Sequence, residues 1–130
     1  MMDRGEEIEG LEHVVKFREP IERALARGYG QMNFNDVLDY IKSGEFQFWS
    51  SDNSCVITTI DVFPRIKQLT VVIGAGDLNE IDDVIRPVVE TWAKQIKCDV
   101  MLIMGRPGWE RALDGYRRTA VVLEKKLWEA

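Results

Sequence analysis

The chain has 130 residues, of which 45% are hydrophobic and 30% are charged, and its net charge is -5 at neutral pH. This is the length of one domain with a core of its own, and the composition of an ordinary globular protein. The acidic balance argues against a nucleic-acid surface and against docking on an anionic membrane, because both need clustered Lys and Arg. No apolar run approaches the roughly 18 residues of a membrane span, and the acidic start lacks the apolar stretch of a signal peptide.

The two cysteines, Cys55 and Cys98, both lie in apolar stretches that are typical of strands. Free Cys is among the most buried residue types, and disulfides are rare in reducing compartments. We therefore predict buried thiols rather than a disulfide or a reactive pair, in a soluble cytoplasmic protein.

The first third of the chain predicts a flexible end, a short strand and two helices. Residues 1–10 are acidic and rich in Gly and Glu, which is typical of a frayed terminus, and Leu11–Phe17 has the β-branched centre of a strand. Pro20 then opens a helix, where its missing N–H does no harm. A second helix follows, capped by Asn33 or Asn35 and ended by a glycine.

A hairpin and a buried strand come next. Phe46–Ser51 and Cys55–Phe63 predict two strands, joined by a turn at Asp52-Asn53-Ser54. Leu69–Ile73 is almost entirely β-branched or apolar, which predicts a strand covered on both faces. Gly74-Ala75-Gly76 forms the loop that leaves this strand.

The rest of the chain predicts a crossover helix and three further elements. A helical apolar stripe runs from about Asn79 to Lys97, with Pro87 inside it, where we expect a kink or a late helix start. Val100–Met104 predicts a second buried strand. A short helix from Arg106 to Leu113 and a closing strand from Arg118 to Leu127 complete the order.

This order predicts an α/β (α+β) fold with a mixed central sheet and helices on both faces. Leu69–Ile73 and Val100–Met104 should be parallel neighbours, because the helix between them suits a right-handed crossover. We predict one domain over residues 11–130, preceded by the flexible N-terminus.

The order of elements resembles the GNAT (acetyltransferase) superfamily over nearly the whole chain. The best local match is VMLIMGRPGWERALDGYRRTAVVLEKKL, which looks like the family's strand, short helix, Gly-aromatic turn and final strand. Gly115-Tyr116 stands where the family usually has Gly-Phe. The compact size and the GRPGWERAL, GYRR and LEKKL stretches look most like GNAT-like proteins of tailed bacteriophages, some of which are virion proteins.

The resemblance implies an acetyl-CoA site where the Leu69–Ile73 strand meets the next helix. The family's signature there is Arg or Gln, two variable residues, Gly, a variable residue, then Gly or Ala. Gly74 and Gly76 would lie nearest the pyrophosphate, but the Arg or Gln is missing and a tight turn also explains both glycines. The helix start carries four acids that repel a pyrophosphate and stabilise the helix: Asp77, Glu80, Asp82 and Asp83. We predict no cofactor, with acetyl-CoA as the alternative.

The resemblance also implies a catalytic Tyr about four residues before the Gly-aromatic turn. Counting back from Gly115 gives Arg111, or Ala112 if the helix is offset, and neither can deliver a proton. Asp61 is the only acid of its strand and is mainly interpreted as an exposed strand-end residue, with a general base as the lesser alternative. His13 has no Cys or His at the spacing of a metal site. We predict no catalytic residue and no metal ligand.

Trp and Arg accumulate towards the C-terminal end. Because both types are enriched at interface hot spots, they predict a protein-contact surface, with edge packing of the rings as the alternative. Its members are Arg106, Trp109, Arg111, Arg117 and Trp128.

Three functional hypotheses follow. The first is a noncatalytic GNAT-like protein of a phage virion or of its assembly, which binds virion proteins or itself in the host cytoplasm or the virion. The second is an acyl-CoA-dependent N-acetyltransferase with an atypical phosphate-binding loop. The third is a small phage immunity or anti-host protein that binds a host partner.

Overall fold

The computed structural model describes residues 11–28, 30–105 and 107–128. Three helices come first: α1 (Glu12–Val15), α2 (Arg18–Ala26) and α3 (Phe34–Ser43). Three strands follow: β1 (Phe46–Ser50), β2 (Cys55–Val62) and β3 (Lys67–Ala75). A helical stretch then consists of α4 (Leu78–Glu80), a π-helical turn (Ile81–Ile85) and α5 (Arg86–Gln95). The last elements are β4 (Val100–Ile103) and α6 (Pro107–Ala112). The predicted flexible segment, residues 1–10, lies outside the described residues.

The four strands form one mixed sheet in the order β1-β2-β3-β4. The first two pairings are antiparallel, whereas β3 and β4 are parallel, with Leu69 opposite Met101. The predicted hairpin, the mixed sheet and the parallel neighbours joined through one helix are therefore confirmed.

Alternation along the strands gives the sheet two buried faces. Cys55 and Ile57 contact a cluster built with the buried side chains of α1, α2 and α3. Val56, which lies between them in the chain, contacts a second cluster that contains Ile85 and Val89 of the crossover helix. Because successive strand residues point to opposite faces, helices cover both sides of the sheet, as predicted.

The predicted strand Leu11–Phe17 is wrong, because this segment begins with the helix α1. Val14, Phe17 and Ile21 are all buried in the same cluster. Their spacing of three and four residues matches a helical face that continues into α2. The predicted strand covers only seven residues and has a β-branched centre, so the helical spacing could not be recognised within it.

The predicted closing strand Arg118–Leu127 is also wrong, since these residues carry no regular secondary structure. Their apolar side chains are largely exposed, with Leu123 at 90%. A strand is stable only when a neighbouring strand completes its ladder of hydrogen bonds. The composition of the segment suits a strand, but it does not pair with any of the described strands.

The crossover helix accommodates Pro87 by a local change of helix type. The π-helical turn comes immediately before α5, and Pro87 is the second residue of α5. Pro has no N–H to donate and its ring crowds the carbonyl one turn earlier, so a wider turn relieves the conflict. The helix therefore begins before Pro87 and continues through it, so of the two predicted alternatives, a kink or a late start, the late start is wrong. None of the described helices combines the length and the apolar composition of a membrane span.

Both thiols are free, and they differ in burial. Cys55 is fully buried, which raises the pKa of its thiol from 9 to about 12. Cys98 is half-buried, and desolvation also raises its pKa. We expect Cys55 to react roughly 1,000-fold more slowly with a thiol reagent at about pH 8 than in urea, because only the thiolate attacks. Rate measurements on a Cys98→Ser variant check this, and rapid labelling of the native variant would contradict it.

Candidate functional site

The candidate site lies where β3 and β4 end at the same edge of the sheet. Their pairing stops at Val71 and Ile103, whereas β3 continues to Ala75. In sheets with parallel strands, ligands bind in the crevice outside the carboxyl ends of the strands. This edge is therefore where a ligand of the fold is expected.

The indole ring of Trp109 occupies the crevice. A Cβ atom on Gly74 would lie 2.2 Å from Cη2 of this ring, and one on Gly105 would lie 2.9 Å from its Cδ2. Trp109 is half-buried and packs against the same cluster as Ile81 and Ile85. Gly74 and Gly105 thus allow a side chain of this protein to lie against the ends of both strands.

Gly76 serves a different contact, between the β3 exit loop and the turn of the β1–β2 hairpin. Its φ of +113° is a conformation that residues with a Cβ rarely adopt. A Cβ there would lie 2.5 Å from Oγ of Ser54 and 2.7 Å from the carbonyl oxygen of Asn53. The backbone N–H of Asp77 also donates to Ser54 Oγ, at 2.9 Å.

The acids at the helix start bind parts of their own chain. Asp77 accepts from the backbone N–H of Asn79 at 2.8 Å, as an N-cap. Glu80 accepts from the Ser51 hydroxyl and from the backbone N–H of Asn53, and these two hydrogen bonds, Ser51 first, lower its pKa. Two N–H donors beside this helix start, those of Asp77 and Asn79, therefore already have partners in the protein.

Asp82 and Asp83 complete the predicted acidic rim. Asp82 accepts from Arg86 Nε at 2.5 Å, one helical turn further along. The side chain of Asp83 is exposed. Three of the four acids are thus held by hydrogen bonds or an ion pair.

An open cleft of about 400 Å³ lies next to the crevice. Its lining includes Gly74, Gly76 and Trp109, together with Arg23 and Arg27 from the end of α2. The volume is in the range of small-molecule sites. Sequence reasoning missed both arginines, although their four-residue spacing places them on one face of a helix.

Comparison with known proteins finds the fold and no sequence family. No protein-family profile matches the chain, and no curated protein sequence does. Solved structures match at low identity. The TTHA1254 protein of Thermus thermophilus is 13% identical, with a TM-score of 0.58 over 88% of this chain and 93% of its own. A GNAT family acetyltransferase of Staphylococcus aureus is 11% identical, with a TM-score of 0.56 over 98% and 96%.

This chain has the GNAT fold. The BH1408 protein of Bacillus halodurans, as a tetramutant, gives a similar match, with 13% identity and a TM-score of 0.56 over 95% of this chain and 94% of its own. At such identities the likeness concerns the fold, so the chemistry of the site has to be argued from the residues of this chain.

Asp61 lies too far from the crevice of this GNAT fold to act there as a base. It pairs with Gln68 across the β2–β3 hairpin and accepts from Thr70 Oγ1 at 3.1 Å. Gln68 is six residues from Gly74, so the two ends of β3 are about 20 Å apart. The half-buried Asp61 is best interpreted as a structural residue of the hairpin.

Tyr116, the aromatic of the Gly-aromatic turn, is tied to the crossover helix. Its hydroxyl donates to Glu90 Oε2 at 2.6 Å, and Glu90 also accepts from Arg86 at 3.1 Å. Burial, followed by this hydrogen bond, raises the pKa of Tyr116. The hydroxyl therefore keeps its proton and anchors the chain after Gly115 to α5.

The residues of the predicted contact surface lie in different environments. Trp109 is directed towards the ends of the strands, whereas Trp128 is 90% exposed. Arg111 and Arg117 are exposed. Arg106 lies outside the described residues. Trp109 thus supports the sheet edge, and the other described members remain available to a partner.

Among the described residues, no group of His, Cys, Asp and Glu is arranged to hold a metal ion.

Proposed function

We propose that this GNAT-fold protein does not transfer acetyl groups and acts by binding other proteins. The observation that carries the proposal is the indole of Trp109 against Gly74 and Gly105. It fills the crevice in which a ligand of a parallel strand pair would bind. A reacting thioester could not lie there without displacing the ring.

The charges and hydrogen bonds around the crevice support the same conclusion. The N–H groups of Asp77 and Asn79 donate to Ser54 and Asp77, so they are not free for phosphate oxygens. Arg111 stands where the family resemblance puts a proton donor, and a guanidinium does not release its proton in proteins. The β3 exit therefore does not fit acetyl-CoA.

The proposed contact surface consists of Arg111, Arg117, Trp128 and, from the sequence alone, Arg106. Exposed Trp and Arg together are typical of interface anchors. We further propose that the partner belongs to a bacteriophage virion or its assembly, in the host cytoplasm or the virion. This part rests on the sequence resemblance.

Calorimetry with acetyl-CoA tests the proposal. We expect no saturable heat and no rise in the melting temperature at about 1 mM acetyl-CoA, because the Trp109 ring fills the crevice and the N–H groups of Asp77 and Asn79 have partners in the protein. A ligand present at 100 times its dissociation constant would stabilise the fold by about 2.7 kcal/mol, which a melting curve resolves. A micromolar dissociation constant would contradict the proposal.

The cleft beside the crevice favours a second candidate, an acyl-CoA-dependent N-acetyltransferase. Arg23 and Arg27 line it together with Gly74 and Gly76, and guanidinium groups bind phosphates in two-pronged geometry. If acetyl-CoA does bind, Arg23→Gln and Arg27→Gln should weaken it. Arg18→Gln is the matched control: Arg18 is outside the lining of the cleft, and it pairs with Glu22 at 3.3 Å on the helix where Arg23 pairs with Glu19 at 2.8 Å. If acetyl-CoA binds and only the Arg23→Gln and Arg27→Gln variants lose it, the acetyltransferase replaces the noncatalytic protein as the proposed function.

A further inference from the structure

The segment 118–127 presents an apolar surface that the rest of the described chain leaves uncovered. Four of its side chains are at least two-thirds exposed: Val121, Val122, Leu123 and Leu127, at 68%, 68%, 90% and 78%. Clustered apolar exposure of this kind marks a binding surface. The segment lacks regular secondary structure, although its β-branched and aliphatic residues suit a strand.

An extended chain would place most of the apolar residues of the segment on one side. Val121, Leu123 and Leu127 fall on that side together with Lys125, and Val122, Glu124 and Lys126 fall on the other. Such a pattern is stable when a neighbouring strand supplies the ladder and a sheet supplies the covered face. What the segment lacks is a described strand that pairs with it.

The described part of the chain offers a sheet edge at β4. This strand is the last of the sheet and pairs with β3 on one side only. Its sequence, Val100–Ile103, contains no charged residue and no Pro, the usual means of blocking an edge. Val100 is 42% exposed. The outer backbone groups of β4 can therefore accept an added strand.

A hydrogen bond to the crossover helix anchors the chain just before the segment. Tyr116 donates to Glu90 of α5 at 2.6 Å, immediately before the segment begins. The exposed strand-like residues thus leave the domain from a fixed point. A fixed departure point lowers the entropy cost of presenting the segment to a second molecule.

The charges of the segment suit a second copy of this chain. Residues 118–127 hold three cations, Arg118, Lys125 and Lys126, against one anion, Glu124, which gives +2. The whole chain carries -5, so the remainder carries -7. A cationic strand is attracted to an acidic body, and the attraction is mutual between two identical copies.

We propose that residues 118–127 of one copy add as a strand to the outer edge of β4 of a second copy, in a reciprocal dimer. A two-fold arrangement uses the same edge and the same segment twice, and it leaves neither uncovered. The inference goes beyond the proposed function, because it would hold for a catalytic protein as well.

Light scattering on the full chain, with variants, tests the proposal. The chain has a mass of 15.0 kDa, and we expect twice this mass at high micromolar concentration. Val121→Lys combined with Leu123→Lys should return the mass to that of the monomer. The matched control is Val62→Lys combined with Phe63→Lys, which changes side chains that are 75% and 52% exposed at the β2–β3 turn. The control should remain dimeric, with far-ultraviolet dichroism confirming that each variant is folded.

Chemical cross-linking distinguishes exchange between copies from pairing within one copy. Lys97 lies just before β4, and Lys125 and Lys126 lie in the segment. In a mixture of unlabelled and nitrogen-15-labelled protein, we expect cross-links from Lys97 to these two lysines that join one labelled and one unlabelled chain. A monomeric full chain, a dimer that survives the Val121→Lys, Leu123→Lys change, or cross-links confined to one isotope would each overturn the proposal.

Discussion

Replacing Gly76 by Ala should lower the free energy of unfolding by about 3 kcal/mol, one of the two largest effects that we expect. The backbone at Gly76 has a φ of +113°, and holding a residue with a Cβ there costs about 1–3 kcal/mol. The new methyl group would also lie 2.7 Å from the carbonyl oxygen of Asn53, and overpacking of this kind costs a further 1–3 kcal/mol or so. Urea unfolding measures the sum.

Gly44→Ala is the matched control for the backbone part of this effect. Gly44 ends α3 with a φ of +87°, and a Cβ there would meet nothing within 4 Å. The free energy of unfolding of this variant should therefore fall by about 1 kcal/mol, because of the left-handed backbone conformation alone. Equal losses in the two variants would show that the β3 exit loop does not press on the hairpin turn. A larger loss at Gly76 would explain this glycine without any phosphate.

The sequence was most informative where several local signals agreed. Leu69–Ile73 is short, β-branched and bounded by glycines, and an amphipathic helix separates it from the similar run Val100–Met104. Length, composition and spacing all favoured a parallel crossover, and β3 and β4 have it. Asn33 was one of two candidate caps, and its reciprocal hydrogen bonds with Asp36 make it the cap of α3.

The errors occurred where the structure depends on distant partners. Leu11–Phe17 is too short for its period to separate a strand from a helix, and the burial of Val14 and Phe17 beside α2 and α3 decides for the helix. Residues 118–127 have the composition of a strand, but a strand exists only beside another strand. No local pattern reports whether that neighbour is present in the same copy.

The candidate site was predictable only in part, for the same reason. The predicted exit loop was placed too early, because Gly74 and Ala75 pair with β2 as part of β3 and only Gly76 has a positive φ. The acids that follow it can be recognised from sequence. Trp109 lies against Gly74, and Arg23 lines the same cleft as Gly74 and Gly76, although these segments are far apart in the chain. Glu80 accepts a hydrogen bond from the backbone N–H of Asn53 in the hairpin turn, which its position at the helix start does not indicate.

The contact between Gly74 and Trp109 should appear as a strong coupling in a double-mutant cycle. Gly74→Ala should cost about 2 kcal/mol, because its methyl group would lie 2.2 Å from the indole ring. Trp109→Ala should cost about 3 kcal/mol, at the low end for a buried Trp since this ring is half-buried. In the double variant the ring is gone, and the methyl group fills part of the space. The double variant should therefore lose about 1–2 kcal/mol less unfolding free energy than the sum of the two single losses.

Gly108→Ala is the control for this cycle, because Gly108 precedes Trp109 in α6 and has nothing within 4 Å of its Cβ position. It should be neutral or stabilise the helix by up to about 1 kcal/mol, equally with and without the indole ring. If Gly74→Ala costs the same in both backgrounds, the ring does not lie against β3. The crevice outside the strand ends would then be open to a thioester, and the noncatalytic proposal would lose the observation that carries it. If the coupling is present, Gly74 is explained by the ring that it accommodates, and acetyl-CoA is left with the outer cleft near Arg23 and Arg27.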